Sequence, residues 1–164
     1  MIRKKVCMLG AYAVGKTSLV RRFVENTFSD RYQTTIGVKV VKKRIEIQNC
    51  EITLMLWDLH GDDDFQTVQT SYLRGASGYL LVADGTRAET LNRAVKLKER
   101  ATRALGDVPF LLIANKHDLG GDWELEDGFE RRLPDWTVVK TSAKSGSRTE
   151  EAFQEITTRM LRVQ

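Results

Sequence analysis

The sequence predicts an α/β fold with a mostly parallel sheet and helices on both faces. Two observations point to it. Apolar stretches of strand length alternate along the chain with stretches whose apolar residues recur at helical spacing. Two of the strand candidates, Gly78–Ala83 and Val108–Ala114, are continuous apolar runs, the pattern of strands covered on both faces.

The elements follow in order. Arg3–Leu9 carries Val6, Met8 and Leu9 and runs into Gly10, a strand closed by a glycine turn. Lys16–Phe28 sets Leu19, Val20, Phe23 and Val24 at helical spacing. Val38–Ile47 alternates Val38, Val40, Ile45 and Ile47 with Lys39, Lys42 and Glu46. Gln48-Asn49 reads as a turn, and Ile52–Trp57 as a second strand, so the two predict an antiparallel hairpin. Gly78–Ala83 is a buried strand. Thr86-Arg87-Ala88-Glu89 has the form of a capping box opening a helix with Leu91, Ala94, Val95, Ala101 and Leu105, stopped at Gly106. Val108–Ala114 and the short Thr137–Thr141 follow as strands. Ser147-Arg148-Thr149-Glu150 is a second capping box, before a helix with Phe153, Ile156, Met160 and Leu161 on one side.

The 164 residues fit one domain, expected to span 1–164. A composition 41% hydrophobic and 29% charged, with 2 Pro, excludes collagen-like and low-complexity chains and argues against disorder. No apolar run approaches the ~20 residues of a membrane span. Two cysteines, Cys7 and Cys50, make no disulfide framework, so a reducing, cytoplasmic setting is expected. The net charge of +4 is too mild to indicate nucleic acid, and no nucleic-acid partner is expected.

The chemistry-bearing motifs lie at strand ends, where ligands of such sheets bind. Gly10-Ala11-Tyr12-Ala13-Val14-Gly15-Lys16-Thr17 fits the phosphate-loop pattern between a strand and a helix. Its glycines let N–H groups turn around a polyphosphate, and the helix beginning near Lys16 aims its positive end there. Lys16 adds a full charge, and the Thr17 hydroxyl is a hard oxygen ligand for Mg²⁺. Asn115-Lys116-His117-Asp118 ends another strand. A carboxylate there can accept two N–H bonds from the N1 and N2 edge of guanine, a pair adenine does not offer. Asn115 and Lys116 would brace the loop. Ser142-Ala143-Lys144 could line the other edge of the base, with the Ala143 N–H toward the keto oxygen. Trp57-Asp58-Leu59-His60-Gly61 ends a strand in an acid that can hold Mg²⁺ through water and a glycine whose N–H could meet a terminal phosphate. Thr34-Thr35-Ile36-Gly37 offers a loop hydroxyl that could complete the Mg²⁺ shell when that phosphate is present. Each of the last four motifs, alone, also reads as an ordinary loop.

Together these motifs resemble the Ras superfamily of small GTPases, and the body is most similar to its Rab branch. The stretches that carry the resemblance are Ala13-Val14-Gly15-Lys16-Thr17-Ser18-Leu19, Tyr32 to Val38, Asn115 to Asp118 and Thr141 to Lys144. The similarity runs from about Lys5 to Leu161. It implies a phosphate-loop NTPase fold, the small G domain. Its sheet is six-stranded and mixed, with one antiparallel pair and about five helices on both faces. It also implies a switch that binds GTP or GDP with Mg²⁺ and hydrolyses GTP. The implied nucleotide-binding set is Ala13 to Ser18, Phe28, Tyr32, Thr35, Gly61, Asn115, Lys116, Asp118, Ser142, Ala143 and Lys144. Phe28 matches the aromatic that packs on the base, though it also reads as plain core. Tyr32 matches the residue that lies over the phosphates. The implied metal set is Thr17 and Thr35 directly and Asp58 through water. The implied catalytic set is Lys16, Thr35, Gly61 and Asp62. Loops around Thr35 and Gly61 would be the two switches, read by effector, exchange-factor and activating proteins. A monomer is expected.

The chain departs from the family pattern where that pattern hydrolyses. After Gly61 it reads Asp62-Asp63-Asp64-Phe65, so Asp62 stands where the family has its water-orienting Gln. Asp62 could accept a proton from water, yet its charge would oppose a γ-phosphate about 4 Å away by several kcal/mol at intermediate dielectric. Slow intrinsic hydrolysis is expected. Tyr12 replaces a small residue; it could block an incoming arginine, cover the phosphates or point to solvent. His60 and Leu59 replace a small residue and Thr, and His60 as a base is set against a structural role. Lys39, Lys42, Lys43 and Arg44 form a basic strand that could prefer an acidic partner or simply guard a solvated edge. No Cys follows Cys50 and residue 2 is Ile, so no lipid anchor is expected on the sequence as given.

Two functions of different class compete. One is a guanine-nucleotide switch with GTPase activity. The other is a pseudo-GTPase that holds nucleotide and serves as an interaction module, favoured by Asp62 and Tyr12. A phosphotransferase kinase is a distant third, since no acceptor site is evident.

Overall fold

A computed structural model describes residues 1–29, 37–61 and 69–163. Strands β1 (Ile2–Gly10), β2 (Val38–Ile47), β3 (Cys50–Leu59), β4 (Gly78–Asp84), β5 (Phe110–Asn115) and β6 (Val138–Lys140) form one six-stranded sheet in the order β2-β3-β1-β4-β5-β6. Only β2 and β3 are antiparallel; the other neighbours run parallel. The hairpin turn is Gln48-Asn49, both at positive φ (51° and 64°), the two-residue turn whose twist matches that of paired strands.

Side chains alternate between two cores, as strand geometry requires. Val6, Met8, Leu80, Val82, Leu111 and Ile113 face the core that takes α1 (Lys16–Glu25) and α3 (Thr149–Arg162). Cys7, Leu9, Leu81, Ala83, Leu112 and Ala114 face the core that takes α2 (Glu89–Leu105). α1 contributes Leu19, Val20 and Phe23, and α3 contributes Ala152, Phe153, Ile156 and Met160. The Phe23 and Phe153 rings stack 4.1 Å apart and join the two helices. The Cys7 thiol lies inside, where burial pushes its pKa up to about 11 and keeps it unreactive at neutral pH. No helix among the described residues is long and apolar enough to cross a membrane.

The sheet and the antiparallel pair match the expectation, while the helix count differs. The described residues hold three α-helices and three single 3₁₀ turns, at Thr70–Leu73, Gly120–Asp122 and Phe129–Arg132. The stretch after β5 carries Gly120, Gly121, Gly128 and Pro134, and Gly128 sits at φ 76°. That spacing of breakers leaves no room for a three-turn helix. Neither capping box forms. The Thr86 hydroxyl donates to Asp84 Oδ1 at 2.7 Å, and the α2 end is met instead by Glu124 Oε1, which accepts the Ala88 N–H at 2.8 Å. At α3 the cap residue is Arg148 at φ 57°, with no side-chain cap bond. In the first case a buried carboxylate outcompetes the helix end for the hydroxyl.

The carboxyl ends of the parallel strands all reach the same edge. Asp84 is level with Asn115, and Ala114 with Lys140. The expected basic strand is β2, the sheet's outer strand, with Lys39, Lys42 and Arg44 exposed. Its Lys43 ammonium lies 5.5 Å from the Phe23 ring centre. Replacing Phe153 by Ala should remove the stacked pair and open a cavity between α1 and α3. The expected cost is about 3–5 kcal/mol, read as a lower midpoint in urea unfolding.

Candidate functional site

The edge where the strands end carries a cavity of about 370 Å³, within the range of small-ligand sites. One wall is the segment from Gly10 to Thr17, which leaves β1 and enters α1. Lys16 is buried, and its Nζ donates to the carbonyls of Gly10 (3.1 Å) and Ala11 (3.0 Å). The Thr17 hydroxyl donates to Asp58 Oδ2 at 2.7 Å. Asp58, near the end of β3 and level with Met8, is 1% exposed. Two hard oxygen donors therefore meet beside a lysine at one end of the cavity. Gly61 lines the cavity too, its backbone so close to that of Tyr12 that a β-carbon would collide there.

The other wall comes from the loops after β5 and β6. The Asn115 side chain is wholly buried and joins three segments. Its Nδ2 donates to the Val14 carbonyl (3.0 Å), and its Oδ1 accepts the Thr141 hydroxyl (3.0 Å) and the Ala143 N–H (3.3 Å). Gly15 stands at φ 103°, and a β-carbon on it would run into Asn115 Nδ2. The Ser142 hydroxyl donates to Asp118 Oδ1 at 2.7 Å and accepts the Ser145 N–H at 3.0 Å. Asp118 is exposed and lines the cavity with Leu119, Ala143 and Lys144.

Sequence comparison bears on this arrangement. The Ras family model matches residues 5–162. The chain belongs to the Ras family. It is 35% identical over 156 residues to Ras-related protein Rab-1C of Dictyostelium discoideum, spanning 91% of this chain and 76% of that protein. It is a Rab-like small GTPase of the Ras superfamily, a class of GTP-binding switches with GTPase activity.

Most of the sequence-derived site residues of this Ras-family chain converge on the cavity. Ala13, Gly15, Lys16, Thr17, Ser18, Phe28, Gly61, Asn115, Lys116, Asp118, Ala143 and Lys144 line it. Val14 does not; its side chain is in the core and its carbonyl is the acceptor for Asn115. Ser142 is buried behind Asp118 and holds it. Phe28 is half-buried, lines the cavity and packs against the α1–α3 core, so both readings of it hold in part. The Ala143 N–H, expected to face a base oxygen, donates to Asn115 Oδ1 at 3.3 Å. Tyr12 is 41% exposed at the cavity rim. His60 is buried, its N–H donating to the Gly37 carbonyl at 2.9 Å with Nδ1 3.3 Å from the same oxygen, a tie between the two loop starts. Tyr32, Thr35 and Asp62 lie outside the described residues.

Sequence reasoning missed Asp84. It ends β4, a strand buried at every position, and is itself 1% exposed. Burial alone would raise its pKa. Hydrogen bonds from Lys116, Thr86 and Arg87 outweigh that and hold its carboxyl below the usual range. The available signal was an acid closing a continuous apolar run. Because the folded pKa lies below the unfolded one, these bonds stabilise the fold above the unfolded value and their contribution is lost as pH falls through the folded one. Asp84→Asn should therefore flatten the acid limb of stability, so that wild type loses more unfolding free energy than the variant between about pH 5 and pH 2, measured by denaturant titration at each pH.

Proposed function

We propose that this chain is a guanine-nucleotide switch that binds GTP and GDP with Mg²⁺ and hydrolyses GTP slowly. The observation that carries the reading is a cavity lined at one end by Lys16 and Thr17, with the buried Asp58 behind Thr17 as its hydrogen-bond acceptor, and at the other by Asp118, Ala143 and Lys144. A triphosphate fits the first end and a base with paired N–H donors fits the second. Lys16 neutralises phosphate charge, and the N–H groups around Ala13 to Ser18 enclose the phosphates. Asp118, held by Ser142, accepts the guanine N–H pair. The Thr17 and Asp58 oxygens are the donor type Mg²⁺ prefers, and Thr35 is proposed as the further hydroxyl. The metal, when bound, screens charge on the terminal phosphates. Lys16, Thr35, Gly61 and Asp62 are the proposed catalytic set. Effector, exchange-factor and activating proteins would read the loops around Thr35 and Gly61.

Asp62 and Tyr12 favour a second reading, in which the chain retains GTP and acts as an interaction module. Nucleotide extracted after prolonged incubation with GTP separates the two. GDP with released phosphate is expected; persistent GTP would support the module. Asp62→Gln should raise the single-turnover rate about tenfold, the equivalent of about 1.4 kcal/mol of relieved repulsion. No gain would count against a rate-limiting role for the acid. Asp118→Ala should weaken GDP by about 100-fold in a fluorescent-nucleotide titration while leaving ADP affinity low, because the base donors lose their acceptor.

A further inference from the structure

Behind the cavity wall, one buried carboxylate gathers two cations that both hold the phosphate loop. Asp84 Oδ2 accepts Lys116 Nζ at 2.8 Å and Arg87 Nε at 3.1 Å. Its Oδ1 accepts the Thr86 N–H (2.9 Å) and hydroxyl (2.7 Å). The same cations reach on to consecutive carbonyls: Arg87 Nη2 donates to Tyr12 O at 2.7 Å, and Lys116 Nζ to Ala13 O at 3.1 Å. The next carbonyl, Val14 O, accepts Asn115 Nδ2. In a planar trans peptide the N–H points opposite to the carbonyl. Fixing these three carbonyls therefore turns the N–H groups of Ala13, Val14 and Gly15 away from the donors. A polyphosphate is enclosed by successive N–H groups aimed in this way.

The arm that bears Arg87 is itself stiff. The Thr90 hydroxyl donates to the Arg87 carbonyl at 2.7 Å, and Glu124 brackets the loop through the Ala88 N–H and the Gly85 carbonyl. The Trp123 ring lies over Gly85 where a β-carbon would stand, and its edge meets His117 at 5.1 Å between ring centres. The loop after β4 is thus fastened both to the phosphate loop and to the segment that carries Asp118.

We propose that Asp84 and Arg87 are positioning residues that hold the phosphate loop in its anion-enclosing shape, and so set the preference for nucleoside diphosphates over monophosphates and the residence time of the former. This rests on the nucleotide-binding reading above. Neither residue touches the ligand; Asp84 acts through Arg87 and Lys116, and Arg87 through the Tyr12 carbonyl.

The test uses the full chain as wild type, Arg87→Ala, Arg87→Lys and Asp84→Asn, with fluorescent GDP displaced by unlabelled GDP or by GMP, which lacks the β-phosphate. Arg87→Ala should release GDP about fivefold faster and bind it correspondingly more weakly, with GMP changed less than about twofold. Arg87→Lys, which keeps a charge and a donor, should fall between Ala and wild type. Asp84→Asn should show the Arg87→Ala pattern or a larger one, and should it not fold, the half-exposed Arg87 pair carries the test. Equal weakening of GDP and GMP would reveal general loosening and overturn the proposal, as would unchanged GDP release in Arg87→Ala. A wild type without preference for guanosine over adenosine phosphates would instead remove the reading on which the proposal rests.

Discussion

A loop that must offer its N–H groups to an anion has to satisfy its carbonyls elsewhere, and that requirement organises the strand-end edge of this protein. Between Gly10, the last residue of β1, and Lys16, the first of α1, the chain has only an isolated bridge at Ala11, so its oxygens need side-chain or helix-start donors. They find them in Lys16, Arg87, Lys116, Asn115 and the first turn of α1, where the Leu19 N–H bonds the Gly15 carbonyl. Asn115 is the most demanding of these partners. Its amide stands where a side chain at residue 15 would be, so glycine there is fixed by packing as well as by its positive φ.

The sheet order explains how donors separated by about a hundred positions reach one loop. β1 lies at the centre with β3 and β4 as parallel neighbours, so the ends of all three open together. β5 and β6 extend the edge and deliver Asn115, Lys116 and Thr141. The antiparallel hairpin serves the other side. By returning next to β1, β3 places Asp58 against Thr17, and its continuation ties His60 back to Gly37 at the start of β2. The two loops expected to switch therefore leave the sheet from adjacent points, held by one backbone bond.

Strand periods and motif order made most of this legible. Continuous apolar runs located β4 and β5, alternation located β2, and the glycine-lysine-threonine spacing located the anion site, because each is a local pattern. What failed was whatever depends on a competitor distant in sequence. Thr86 looked like a helix cap until Asp84, turned inward by the sheet, claimed its hydroxyl. The segment from Gly120 to Gly128 carries no periodic signal, yet it brings Trp123 and Glu124 onto the loop after β4. Arg87 stands in the sequence only as an interior position of the expected capping box; its contact with Tyr12 spans 75 positions and has no periodic trace. Val14 and Ser142 do not line the cavity; they stand behind it as partners of Asn115 and Asp118, because a motif does not say which atoms face outward.

The stability that its bonds contribute to the ionised form does not by itself explain why an ion cluster stands at Asp84. A carboxylate taken out of water loses hydration that its partners recover only with good geometry, and apolar substitutes of similar volume are often no less stable. Both cations keep about a third of their side-chain surface exposed, which screens their attraction to it further. Geometry accounts for the cluster better. A carboxylate offers acceptor directions enough for a guanidinium, an ammonium, a hydroxyl and a backbone N–H at once, and here it receives all four. A guanidinium presents donors in a rigid fork, so Arg87 can face Asp84 with Nε and Tyr12 with Nη2 without bending. An apolar cluster could fill the same space but could not hold two neighbouring carbonyls in fixed directions. The polar group is retained where direction matters, at the back of a loop whose use depends on which way its peptides face.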